Sequence, residues 1–382
     1  MKVLDIINSI EGILKLKEAG AEIYLVGGCV RDHYLGKISK DIDLIVRLLE
    51  PDDILSILQK FGNVDLVGES FGVIKFKPFD WIGEPIDIAL PRKDKLIDKS
   101  LGHRGIKAEF DPFISIEDDL YRRDFKINSI AISLNGDITD PFNGLDDIKN
   151  KVISATSEKA FSEDPLRMLR AIQFSSRFNF NISDTTWKMI TDNKSDIRLM
   201  SGERILEELN KIFYKGNIHY GLELFRNSGL HTELFNNRYI NNSLLNNIKT
   251  IEDFYYVICM NSDIFKNVLK GENGIVKGIG AIENLMNVSD ISKPVLRQKL
   301  FDSIKISESV LNSDIIKFLY EDTVKEFSDN KYPKSLKELA ISGDDLKEFG
   351  YVDIEIGKRF KLLLSEIFSD KRKNTYEDLI SE

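Results

Sequence analysis

Only two cysteines, Cys29 and Cys259, occur in the 382 residues, too few for a disulfide framework or a zinc site. Both read as small buried residues. No apolar run approaches the length needed to span a bilayer. The chain has no internal repeat and no low-complexity tail. Asp5 and Glu11 lie inside the first amphipathic stretch, which does not look like a signal peptide. A cytoplasmic location with no membrane contact is the expectation. Nor is positive charge in excess: 53 Lys and Arg stand against 62 Asp and Glu, a net charge of −9. That argues against a uniformly basic coat, but a local basic patch would still attract an anionic partner. What is there is ordinary for a globular protein: 42% hydrophobic and 30% charged residues, with length enough for two or more cores.

Strand-like runs fall at 22–27, 41–46, 73–77, 85–90 and 130–134, with turn residues between them. Helical patterns occupy 3–18 and 51–61. After about residue 155 the strand signals fade and helical periodicity takes over. Ser201 reads as an N-cap, followed by an apolar stripe of Ile205, Leu209, Ile212 and Phe213. An Asn-rich stretch at 236–247 marks a loop or helix junction. The fold class expected is α+β, a mixed-sheet head over 1–150 followed by an all-helical remainder, divided at 151–214 and 215–382.

Chemistry concentrates in the first half. In a strand, residues i and i+2 share a face, so Asp41 and Asp43 of Asp41-Ile42-Asp43 present two carboxylates together. Such a pair repels itself unless a cation sits between, and Mg²⁺ prefers hard oxygen ligands. Just upstream, a strand runs into Gly27-Gly28 and a short helical pattern, a turn whose N–H groups could approach a phosphate. Asp87, flanked by Ile86 and Ile88, is the candidate third carboxylate of a two-metal site, provided its strand lies beside 41–46. Arg122-Arg123-Asp124 offers guanidinium forks for phosphate oxygens and a carboxylate for a ribose hydroxyl. In Glu163-Asp164-Pro165-Leu166-Arg167, Pro165 suits a first helical turn, Ser162 or Asp164 could cap it, and Asp164 and Arg167 could lie side by side. Taken singly, each has a bland reading as a solvated strand face, a turn, a surface ion pair or a capped helix.

In this order the segments resemble class II tRNA nucleotidyltransferases, the CCA-adding enzymes, and their bacterial poly(A) polymerase relatives. The matching pieces are Gly27-Gly28-Cys29-Val30-Arg31-Asp32, Asp41-Ile42-Asp43, Gly68-Glu69-Ser70-Phe71-Gly72 and Ile86 through Arg92. They continue with Gly102-His103-Arg104-Gly105, Arg122 through Asn128, Asp140-Pro141-Phe142-Asn143-Gly144 and Glu163 through Arg167, with Glu203-Arg204 a further extension. The resemblance spans about residues 22–180 and implies a nucleotidyltransferase head, then a helical neck, body and tail that bind RNA. It implies Mg²⁺ on Asp41, Asp43 and Asp87, and triphosphate contacts from Gly28 and Arg31. Arg123 with Asp124 would read the ribose, with Asn128 and Arg170 also in the nucleotide site. Asp164 and Arg167 would read the base. Cytosine and adenine both offer an amine donor beside a ring-nitrogen acceptor, which an Asp–Arg pair matches; guanine and uracil present the reverse order.

The implied activity is template-independent addition of CCA to the tRNA 3′ end from CTP and ATP, with no protein partner identifiable. Alternatives are a poly(A) polymerase of the same family, an enzyme adding only CC or only A, and an RNA-binding relative without catalysis. Ile86 through Arg92 with Gly102 through Gly105 looks more like the CCA-adding members. A basic tail extension would favour the polymerase, and the last seven residues are Tyr376 to Glu382. The stretch from Leu90 to Arg122 is long enough for the flexible loop that CC-only enzymes lack. The four histidines, His33, His103, His219 and His231, are too scattered for a His-Asp phosphohydrolase domain.

Overall fold

The computed structural model describes residues 2–37, 39, 41–67, 72–96, 106–236 and 242–381. The motif residues Gly68 to Phe71 and Gly102 to Gly105 lie outside the described residues. Two compact units divide the chain, Met1–Glu233 and Leu234–Glu382.

In the first unit a seven-stranded sheet carries β1 (Glu22–Val26), β2 (Asp43–Arg47), β3 (Gly62–Val67), β4 (Val73–Pro78) and β5 (Ile86–Ala89). Strands β6 (Arg92–Leu96) and β7 (Ile106–Phe110) form a separate hairpin, while β8 (Ala131–Ser133) and β9 (Ile138–Thr139) complete the main sheet. Its order is β3-β4-β5-β2-β1-β8-β9, mixed because β2 and β5 run parallel and the other pairs antiparallel. Register explains the layering. Ile74, Ile88, Leu44, Leu25 and Ile132 are successive partners across five strands, and all are nearly solvent-free. Each such side chain stabilises the fold by about 1.5–3 kcal/mol. One residue away along the strands, the side chains point to the other face, and there the partners are Lys75, Asp87 and Asp43. Helices α1 (Lys2–Ile7), α2 (Glu11–Glu18), α3 (Gly28–Tyr34) and α4 (Pro51–Leu58) precede β3 in the chain. Gly12 of α2 lies against Phe76 and Leu58, which places α2 and α4 over the apolar face. On the other face, α5 (Ile116–Tyr121) buries Ile116 and Leu120 with Val26, Ile45 and Ala131.

The remaining elements of this region are α6 (Gly144–Asn150), the short parallel pair β10 (Val152–Ile153) and β11 (Asn181–Ile182), α7 (Ala160–Glu163), α8 (Leu166–Phe178), α9 (Asp184–Asn193), α10 (Gly202–Lys215), α11 (Ile218–Asn227) and α12 (Leu230–Phe235). Ser201 caps α10 as expected, and Ile205, Leu209 and Ile212 are buried. The single helix expected over 3–18 is two, parted at Asn8 and Ser9. Ser9 donates to the Ile6 carbonyl (2.7 Å) and Asn8 to the Leu134 carbonyl (3.0 Å), so short polar side chains compete with the helical ladder.

Described residues of the second unit are helical: α13 (Ile251–Cys259), α14 (Ser262–Leu269), α15 (Asn273–Met286), α16 (Lys293–Ile306), α17 (Asp314–Ser328), α18 (Gly343–Glu348), α19 (Asp353–Phe368) and α20 (Tyr376–Ile380). Arg297 is its polar anchor. Its guanidinium meets Glu326 at 2.9 Å through two nitrogens, donates to the Phe368 carbonyl (2.6 Å) and covers the Tyr332 ring. In the Asn-rich stretch, Asn242–Asn247 form a 3₁₀ turn and residues 237–241 lie outside the described set. No helix among the described residues is long and apolar enough to cross a membrane.

Gly144 joins fold to site. Asp140 accepts the N–H groups of Gly144 (2.7 Å) and Leu145 (2.9 Å), which fixes the start of α6. A Cβ at Gly144 would lie 2.1 Å from the Lys126 carbonyl, in the 3₁₀ turn Lys126–Asn128. Gly144→Ala is therefore expected to lower stability by about 1–3 kcal/mol, read as a lower urea midpoint at unchanged slope.

Candidate active site

The parallel register of β2 and β5 sets Asp43 opposite Asp87. β5 is interior to the sheet, between β4 and β2, so Asp87 is not on an edge strand. Asp41 precedes β2 rather than lying within it, since the strand begins at Asp43. It is exposed and still close enough to act on Asp43 electrostatically. Burial pushes the Asp43 carboxyl above its ordinary value; the Arg123 charge opposes this, and the Asp87 and Asp41 charges add to the rise. Asp87 is bonded to Lys75 at 2.7 Å. Among the described residues no three His, Cys, Asp or Glu side chains stand close enough to hold a metal ion as placed. The donor set nonetheless fits a hard divalent cation: two carboxylates in register on adjacent strands, a third beside them, and in Asp43 a part-buried member whose charge Arg123 and Lys75 only partly offset. Lys75, which is part-exposed, occupies the cation's electrostatic place at Asp87.

Beside this row, Gly27 turns the chain from β1 into α3 with φ +71°, a conformation that favours glycine. Arg123 Nη1 would be 3.0 Å from a Cβ there. Arg31 on α3 is 5% exposed and points Nη2 past Gly28. It donates to Asp32 through Nε (2.9 Å) and Nη2 (2.7 Å) and to Asn128 through Nη1 (2.7 Å). Three of its five N–H groups are used, which leaves two for a ligand. Its face stacks on Phe174 and Phe178 at 5.3 and 4.7 Å. Asn128 in turn donates to Asp124 (2.9 Å). The other oxygen of Asp124 receives Arg170 through Nε (2.9 Å) and Nη2 (2.6 Å). Behind Arg170 stands Glu208 of α10, itself bonded to Lys211 at 2.8 Å. Burial alone would raise the Asp124 carboxyl, but the Arg170 charge and the bonds from Asn128 and Arg170 outweigh it and hold the group below the usual carboxylate range.

The pair Arg122-Arg123 is gripped from beneath by Asp119, a fully buried carboxylate on α5, at 2.7 and 3.2 Å. Arg123 Nε is buried with no hydrogen-bond partner among the described residues. Asp164 is not on the face of α8 with Arg167. It is extended (φ −136°, ψ 99°) just before Pro165, as a residue preceding proline tends to be. One oxygen accepts the Leu166 N–H (3.2 Å) and the other takes Arg204 of α10 (3.0 Å). Arg167 donates to the Arg122 carbonyl (2.6 Å) and lies 3.6 Å from Glu163. Both groups still line the same cavity of about 420 Å³, together with Gly28, Arg31, Asp43, Arg123, Asp124, Asn128 and Arg170. Asp41 and Asp87 do not line it. The cavity wall presents seven arginines against three aspartates, a surplus suited to a polyphosphate.

Sequence reasoning missed the supports Asp119, Glu208 and Lys75 and the cavity-lining Phe174 and Arg177, and it named Arg92 within a matching segment without giving it a role. Helical spacing could have found several of them. Arg167, Arg170, Phe174 and Arg177 recur at three and four residues, one face of α8. Asp119 precedes Arg122 and Arg123 by three and four.

Comparison with known proteins places the chain rather than its single residues. The family model described as Poly A polymerase head domain matches residues 23–154, and that described as Probable RNA and SrmB-binding site of polymerase A matches 179–240. The chain is 33% identical over 219 residues to a CCA-adding enzyme of Lactobacillus helveticus, covering 56% of this chain and 52% of that one. It is 31% identical over 380 residues to a CCA-adding enzyme of Ligilactobacillus salivarius, covering 94% of this chain and 89% of the relative. Against several curated relatives it thus matches only about half of their length. In fold it is similar to the Bacillus stearothermophilus CCA-adding enzyme solved in complex with CTP, with a TM-score of 0.70 at 23% identity over 97% of this chain and 94% of that one.

The lowered Asp124 carboxyl carries a sign. Its ionised form contributes stability above the ordinary carboxylate range, and that contribution is lost as pH falls through the lowered folded value. Asp124→Asn is expected to cost about 1–3 kcal/mol at neutral pH by removing the nearer of the two carboxylates that pair with Arg170, the other being Glu208 at 3.5 Å. Urea midpoints of parent and variant should converge as the medium is acidified below that range.

Proposed function

The chain belongs to the family of CCA-adding enzymes and bacterial poly(A) polymerases, and from that premise we propose that it adds CCA to the 3′ end of tRNA from CTP and ATP without a nucleic-acid template. The observation that carries this reading is the common cavity of Asp164, Arg167, Asp124 and Arg31, next to the registered carboxylates Asp43 and Asp87. Residues 1–150 would form the catalytic head, 151–214 the base-selecting neck and 215–382 an RNA-binding body and tail.

Relatives of this family generally use divalent metals; here the ion would be Mg²⁺, held by Asp41, Asp43 and Asp87. Two such ions, when bound, supply polarisation of the RNA 3′-hydroxyl and neutralisation of charge on the leaving pyrophosphate. The chain's own residues do the positioning. Gly28 and Arg31 hold the triphosphate, Arg31 with its two uncommitted N–H groups. Arg123, steadied by Asp119, reaches over Gly27 towards Asp43 and the reacting phosphate. Asp124, kept ionised by Arg170 and Asn128, accepts from the ribose in exchange for one of the four donors it already holds. Asp164 accepts the exocyclic amine of cytosine or adenine, and Arg167 donates to the neighbouring ring nitrogen. Guanine and uracil leave both protein groups mismatched, and a site built on such bonds discriminates strongly. No covalent enzyme intermediate is needed for in-line attack on the α-phosphate.

The test is product length and composition on tRNA transcripts ending at the discriminator base, at C and at CC, each with Mg²⁺ and CTP, ATP or both. Addition of C, C and A followed by a stop is expected, with Asp43→Asn abolishing incorporation. Long A tracts that ignore CTP would make the protein a poly(A) polymerase. Extension of one primer class would mark a partial CC- or A-adding enzyme, and no extension a binding protein.

A further inference from the structure

Three cations crowd the Phe178 ring, and two of them, Arg31 and Arg177, line the cavity. The Arg31 guanidinium lies 4.7 Å from the centre of the Phe178 ring, the Arg177 guanidinium 5.0 Å and the Lys37 ammonium 5.1 Å. Phe178 itself stacks almost parallel on Phe174, at 5.8 Å and 7°. Cation–π attraction contributes about 0.5–2 kcal/mol each, and it does not remove repulsion between like charges held around a single ring. Asp32 is the carboxylate nearest to hand, and its Oδ1 is engaged by Arg31 through two nitrogens. Arg177 is half-buried and, like Lys37, makes no side-chain hydrogen bond or salt bridge among the described residues. Burial and the Arg31 charge push the Arg177 guanidinium below its ordinary value, with Asp32 opposing. An arginine in that position is short of negative charge.

Where this cluster sits along α8 decides which anion it fits. Arg167 and Arg177 are ten residues apart on α8, about 15 Å at the helical rise. Arg170 and Phe174 lie between them on the cavity wall. A nucleoside triphosphate laid along that wall, with base at Arg167 and ribose at Asp124, directs its terminal phosphates past Arg31 to Arg177. We propose that Arg177 and Lys37, arranged with Arg31 around the Phe178 ring, form the seat for the terminal phosphates of the incoming nucleotide and hence for the pyrophosphate that leaves. The proposal rests on the nucleotidyl-transfer reading, and assigns to that site two residues that it does not otherwise use. The chemistry is that of a di-anionic or tri-anionic phosphate met by a planar fork and a point charge.

The experiment compares the parent with Arg177→Gln, Arg177→Lys and Lys37→Gln in the full chain. Readouts are pyrophosphate affinity by calorimetry without RNA, KM for CTP and ATP, KM for the RNA primer, and inhibition by CMP, which lacks the terminal phosphates. Arg177→Gln is expected to weaken pyrophosphate and to raise KM for both nucleotides by about tenfold or more, the effect of losing a charged hydrogen bond. CMP inhibition and the primer KM should stay as in the parent. Arg177→Lys should recover much of the loss, and the exposed Lys37→Gln should show a smaller change in the same direction. Unchanged pyrophosphate affinity in both Gln variants would overturn the proposal. So would a rise confined to the primer KM, which would make Arg177 an RNA-phosphate contact. Because pyrophosphate binding needs no turnover, a parent without incorporation would reject the nucleotidyl-transfer reading while leaving the phosphate seat separately measurable.

Discussion

A carboxylate buried among arginines governs this molecule's site. Removing a charge such as Asp124 from water costs several kcal/mol, and here two bonds from Arg170, one from Asn128 and one from the Phe125 N–H offset it. Phe125 and Asn128 belong to the turn that follows Asp124, whereas Arg170 comes from α8. Asn128 ties the group to Arg31 and the Gly27 turn, and Arg170 ties it to α8 and, through Glu208, to α10. Local folding choices far apart in sequence therefore have to be right together before the ion pair is complete. Asp119 repeats the device beneath Arg122 and Arg123, and Arg204 repeats it at Asp164.

Rigidity of this kind bears on selection without a template. Asp164 and Arg167 must offer an acceptor and a donor at a fixed separation if hydrogen bonds alone are to distinguish bases. Asp164 has an oxygen bonded to Arg204 and another to the chain, and Arg167 is bonded to the Arg122 carbonyl. Both groups line the cavity from fixed positions, and a fixed acceptor and donor are what would charge mismatched bases the full cost of unpaired groups.

Much of this could be read from the residues. Asp-x-Asp, Gly-Gly and the Ile-flanked Asp87 pointed to a strand-borne site, and the sheet register places Asp43 opposite Asp87. Period and capping located β1, α4 and the Ser201-capped α10. What escaped has physical reasons. β6, Arg-Lys-Asp-Lys-Leu, has no apolar alternation to betray it, and most of β3 is exposed. Asn8 and Ser9 break a helix through side-chain bonds that periodicity does not register. Pro165 pulls Asp164 off the helix that carries Arg167, and one Asp164 oxygen is held by Arg204, forty residues on. The supports Asp119 and Glu208 show no chemistry of their own in the sequence; their function exists only in what they hold.

The claim that the protein alone forms the base-reading site is tested most directly by the affinities of CTP, ATP, UTP and GTP for the RNA-free protein, in the parent and in Arg167→Ala. The account predicts that the parent prefers CTP and ATP by at least about tenfold, as one well-placed hydrogen-bonding pair supplies. It also predicts that Arg167→Ala removes that preference without abolishing binding. Equal affinity of the parent for all four nucleotides would contradict it and would mean that the RNA, rather than Asp164 and Arg167, completes the reading of the base.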